Sequence, residues 1–71
     1  MMCKIFVFDS IHFVMKADKL LNENKYKYQM ISTPLEISTN CGMSLLVEIV
    51  EFDRVKDFLV KNNFIFTVFE R

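Results

Sequence analysis

The only proline and the only glycine of this 71-residue chain, Pro34 and Gly42, both fall within the eleven residues 32–42, STPLEISTNCG. Every other reversal must therefore be made without the residues that turn a backbone most cheaply, which leaves one punctuated loop and otherwise short connections. Asn22 and Asn24, and later Asn62 and Asn63, stand where two such reversals are needed; asparagine is the next best residue at the left-handed position past a helix end.

The stretches between these marks have distinct periods. CKIFVF at 3–8 is a β-rich run ended by Asp9 and Ser10, either of which can cap a helix through its side chain. From 10 to 24, Phe13, Val14, Ala17, Leu20 and Leu21 recur at helical spacing, with His12, Lys16, Lys19 and Glu23 on the opposite stripe. YKYQMI at 26–31 alternates as an edge strand with one wet face. MSLLVEIV at 43–50 reads as a third strand. EFDRVKDFLVKNN sets Phe52, Val55, Phe58 and Leu59 on a second helical stripe, and FIFTVFE at 64–70 as a fourth strand.

The order βαββαβ predicts an α+β, ferredoxin-like domain over residues 1–71: a four-stranded antiparallel sheet of order 4-1-3-2 with two helices on one face. Apolar types make up 52% of the chain, enough for a dense core in so small a fold. Apolar residues alternate on both faces of the inner strands, yet two helices cover one face. The uncovered face or an edge predicts association, as a homodimer.

Nine basic and nine acidic residues cancel. No general attraction to nucleic acid or anionic membranes follows, and no stretch approaches the ~20 apolar residues of a membrane span. The amino-terminal sequence lacks a secretory pattern, so a cytoplasmic location and two free thiols, Cys3 and Cys41, are expected. Two cysteines and one histidine make no metal site, and a single glycine makes no phosphate loop, so no cofactor is expected.

Sulfur remains as the candidate chemistry. In the 4-1-3-2 order the start of the third strand lies beside the end of the first, which sets Cys41 near the first turn of the first helix. Backbone N–H groups there carry partial positive charge and favour a thiolate. Gly42 follows directly; a glycine permits positive φ and close approach of another molecule. The plainer reading is a small buried cysteine at a loop-to-strand turn. His12, the only histidine, enters the same end of the fold, as a base or cationic partner of Cys41 or merely as a solvated side chain. Cys3 belongs to the far end of the first strand. Glu48, Glu51, Asp53 and Asp57 read as solvated surface, and the five methionines as gap filling.

The pattern Pro34, Glu36, Ile37, Ser38, Cys41, Gly42, with Ser10 and His12 and the run Ala17-Asp18-Lys19-Leu20-Leu21, resembles short bacterial proteins described as selenium/sulfur carrier-like. The resemblance covers nearly the whole chain. It implies that Cys41 holds sulfur or selenium as a persulfide or selenopersulfide and relays it between donor and acceptor proteins. Gly42 would give access, and Ser38, Thr39 and Asn40 would donate loop hydrogen bonds to the charged sulfur. Members commonly carry a basic residue after the proline; here Leu35 fills that place, which removes a guanidinium that would pair with an anion. The alternative is a non-catalytic ligand-binding or protein-interaction module with a structural cysteine, since fold alone does not exclude it.

Overall fold

The computed structural model describes residues 2–37 and 42–70. Its elements are β1 (Cys3–Phe8), α1 (Ile11–Glu23), β2 (Gln29–Ser32), β3 (Met43–Glu48), α2 (Ile49–Lys61) and β4 (Phe66–Glu70). The strands form one antiparallel sheet of order β2-β3-β1-β4, the ferredoxin-like arrangement that the element order predicts.

The core lies between the sheet and the helices. Phe6 and Phe8 of β1 and Leu45 and Val47 of β3 meet Val14, Ala17 and Leu21 of α1 and Val55 and Leu59 of α2. Phe6 stacks on Phe52 at 5.4 Å and meets Phe66 edge-on at 5.1 Å, while Phe8 meets Phe64 edge-on at 5.9 Å. Such offset and edge geometries add to the gain from burial alone. Phe13, placed by its spacing on the buried stripe, is exposed. Val14, Ala17 and Leu21 define the stripe's axis, and Phe13 lies well round the helix from it.

Both helices end in the same way. Asn24 and Asn62 each donate a side-chain hydrogen bond at 2.8 Å to the carbonyl four residues back, of Leu20 and Phe58. The main chain then closes a Schellman turn: Tyr26 N–H donates to Leu21 O and Lys25 N–H to Asn22 O, matched by Phe64 to Leu59 and Asn63 to Val60. The residue that takes positive φ after α1 is Lys25, at 61°, rather than an asparagine; after α2 it is Asn63, at 66°.

These turns account for two differences from the expected strand limits. Residues 26–28 do not pair in the sheet, because Tyr26 is held by its N–H and by its ring, 4.8 Å from that of Phe58, and Tyr28 by its hydroxyl on Asp18. β4 begins at Phe66 because Phe64 belongs to the turn and points into the core. A third difference lies at Ile49 and Val50, which open α2 instead of extending β3. β3 meets the start of β1 at the pair Cys3–Glu48, and the bond from Ile49 N–H to Met2 O closes that contact as α2 begins.

The face away from the helices carries Cys3, Ile5 and Val7 beside Leu46 and Ser44 on β3 and Phe69 and Thr67 on β4. Ile5 and Val7 are only 2% and 6% exposed. Flanking side chains thus shelter the central strand, and the apolar surface left open on this face is smaller than the alternation of residue types implies.

Candidate functional site

The antiparallel registers bring four chain segments to one end of the sheet. Phe8 pairs with Phe66 where β1 ends and β4 begins; Ser32 pairs with Met43 where β2 ends and β3 begins. The hairpin continues one step further, with Thr33 N–H donating to Gly42 O at 3.0 Å and the hydroxyls of Thr33 and Ser44 sharing a hydrogen bond of 2.6 Å. Ser44 is fully buried there, so this bond replaces water that its hydroxyl cannot reach. A short turn follows Thr33, closed by Ile37 N–H on Pro34 O. Ser38, Thr39, Asn40 and Cys41 lie outside the described residues.

Gly42 is described, and it is exposed. Its φ is not positive, and a Cβ built on it would meet nothing within 4 Å. The expected left-handed conformation is therefore absent, and the fold itself does not demand a glycine at this point. What the position has is open space.

α1 starts at the same end, two residues after β1. Ser10 is its N-cap in extended conformation, but neither Asp9 nor Ser10 caps it through a side chain; the main-chain carbonyl of Ser10 accepts from Phe13 and Val14 instead. No acidic residue stands in the first turn either. Among the described residues no side-chain cap and no carboxylate of the first turn offsets the partial positive charge of this helix end, and Asp9 stands just ahead of the cap. His12 is exposed in that turn, its ring edge-on to Phe13 at 5.5 Å.

Of the residues singled out from the sequence, Ser10, His12 and Gly42 come to one end of the fold, and Cys3 to the other. Cys3 is a free, half-buried thiol beside Glu48. It lines an open cleft of about 700 Å³ with Tyr26, Tyr28, Met30, Leu46 and Glu48, formed where residues 26–28 leave the sheet. This concavity is therefore at the end opposite Gly42. Tyr28, on its wall, donates its hydroxyl hydrogen between the Asp18 carboxylate at 2.5 Å and the Asp18 carbonyl at 2.8 Å. Burial first, then the bond to Asp18 and its charge, push the phenol up to about 12. The pattern YKY hides this role, since either tyrosine could serve a strand.

Among the described residues no three His, Cys, Asp or Glu side chains gather as a metal site, and no helix is long and apolar enough to cross a membrane. Sequence spacing did not single out Ile11, beside the cap, or the degree to which Leu35 and Ile65 stand in solvent: Leu35 is 102% exposed and Ile65 79%.

A small α+β module, with an open glycine at a strand start and a helix start without a side-chain cap at the same end of the sheet, is the class that the fold and this end of it define. The model of the family described as "Putative Se/S carrier protein-like" matches residues 3–69, and the chain belongs to that family. No curated protein and no solved structure matches it.

Proposed function

We propose that the protein is a sulfur or selenium carrier that holds the atom on Cys41 and relays it between protein partners in the cytoplasm. The reading rests on family membership across residues 3–69, a span that contains the Cys41-Gly42 pair. The start of α1, with no side-chain cap and no acid in its first turn, lies at the end where Gly42 lies and supports it, because a helix start favours a thiolate over a thiol.

The transfer is a displacement without net oxidation. The Cys41 thiolate attacks the terminal sulfur of a donor persulfide; the new S–S bond forms as the donor's S–S bond breaks, and the electron pair leaves with the donor as its thiolate. The proton on the terminal sulfur travels with it. The acceptor's thiolate repeats the step and regenerates the Cys41 thiolate. Gly42 keeps the approach clear, Ser38, Thr39 and Asn40 donate hydrogen bonds to the charged sulfur, and His12 and Ser10 border the approach.

Intact mass spectrometry after incubation with a cysteine desulfurase and cysteine tests this. The wild type should gain the mass of one sulfur, and Cys41→Ser should not. Equal adducts on both would show that Cys41 is not the carrier.

A further inference from the structure

We propose that the outer edge of β4 is a homodimer interface, on which a second copy of this chain pairs its own β4 antiparallel about a twofold axis at Val68 and so joins two four-stranded sheets into one. Such pairing is independent of what Cys41 carries.

β2 and β4 are the two edges of the sheet, and they are finished differently. β2 is four residues long, has Lys27 and Pro34 on its flanks, and stops where residues 26–28 leave the ladder. Short length, lysine and proline are devices by which natural edges refuse a further strand. β4 lacks the lysine and the proline: FTVFE pairs with β1 one for one from Phe66 to Glu70, without a bulge. Its one charge, Glu70, is at its end and engaged by Lys4 at 3.8 Å. The helices lie over β3 and β1, which leaves β4 at the margin of the layer, with Thr67 and Phe69 exposed. About half of its main-chain N–H and C=O groups point away from β1, as in any edge strand.

The composition of β4 suits a second copy. In an antiparallel pair centred on Val68 every residue of the strand finds an opposite number: Thr67 stands against the partner's Phe69, and Phe66 against the partner's Glu70. Roughly four to six main-chain hydrogen bonds then cross the axis. The threonine–phenylalanine pair occurs twice, and aromatic with β-branched is a combination that stabilises a ladder. The two Glu70 carboxylates fall ~14 Å apart along the strands, more than a Debye length at physiological salt, and each keeps its own Lys4. One strand pair is a small interface, so the dissociation constant should be on the order of 10 µM. β4 begins at the end of the sheet that holds Gly42, so the twofold axis turns the two Gly42 ends to opposite sides and leaves each unobstructed by the other copy.

Sedimentation equilibrium of the full chain in reducing buffer, from about 1 to about 200 µM, reads the association. Two double variants accompany the wild type, with circular dichroism to establish that they fold. Thr67→Lys with Phe69→Lys sets lysine against lysine twice across the axis and should weaken the dimer by about tenfold or more. Thr67→Glu with Phe69→Lys sets opposite charges there and should dimerise within about threefold of wild type. Hydrogen exchange on the wild type needs no variant: between the two concentrations the amides of β4 should gain protection and those of β2 should not. A monomer at about 200 µM would overturn the pairing. So would a lysine–lysine variant that dimerises like wild type, or equal weakening of both variants, as contact through the sheet's open face would give. Protection gained on β2, or no gain on β4, would do the same.

Discussion

Replacing Tyr28 by phenylalanine removes one oxygen and tests how the segment before β2 is held. That hydroxyl has one hydrogen to give, and both acceptors belong to Asp18, its carboxylate at 2.5 Å and its carbonyl at 2.8 Å. A hydrogen bond to a charged acceptor contributes about 1.5–3 kcal/mol, and water reaches this half-buried phenol, so a loss of about 1–2 kcal/mol is expected. For a domain of this size that lowers Tm by roughly 5–10 °C. The second signature is in pH. The folded phenol titrates near 12 against 10.0 for the free side chain, so the fold binds the proton more tightly than the unfolded chain does. Its contribution is complete below pH 10 and is lost as pH rises through 12, where a phenolate would face the Asp18 carboxylate. Urea unfolding at pH 7 and at about pH 11 should show wild type losing more stability than Tyr28→Phe between the two. Tyr26→Phe serves as the control for the general alkaline loss. If Tyr28→Phe matched wild type at pH 7 and kept the same alkaline decline, the tether to Asp18 would carry no stability and the explanation of the shortened β2 would fall.

Lys25→Gly should stabilise the protein by about 1 kcal/mol, because a left-handed residue with a Cβ is strained, and Asn63→Gly should gain less; thermal melts decide. Ser44→Ala should cost about 1–2 kcal/mol by removing the buried partner of Thr33, and hydrogen exchange should show faster loss of protection at Thr33 than at Lys4. Ile11→Glu should raise the pH at which Cys41 reacts with an alkylating reagent, since a carboxylate in the first turn of α1 offsets the helix charge there; an unchanged profile would separate Cys41 from that helix end. Sedimentation at micromolar concentration tests the association expected through the sheet's open face or an edge, and a monomeric wild type would remove that expectation.

The sheet order and both helices were readable because the apolar pattern changes at each boundary, from a continuous β-rich run in CKIFVF to a spacing of about 3.6 across Val14, Ala17 and Leu21. Boundaries were less readable wherever partners and not propensities decide. Ile49 and Val50 are β-branched, yet the pairing with β1 ends at Glu48 and they open α2. Tyr26 and Tyr28 alternate like a strand, yet their rings and hydroxyl are claimed by the helices. At the candidate site the sequence marked Gly42 and the start of α1 from topology alone, but attributed to the glycine a conformation that it does not take. The exposure of Leu35 and Ile65 was illegible for a related reason: they differ from core residues only in where their neighbours lie.

The twin helix endings fix more than two turns. With β1 passing into α1 after two residues, β3 running directly into α2, and each helix delivered to its next strand by a hydrogen-bonded reversal, four of the five connections have no length to spare. Insertions or deletions should be tolerated at one place, between Thr33 and Gly42, which is also where Cys41 lies. Variation in the size of that segment would thus be free to retune which molecules it meets while the scaffold beneath stays the same.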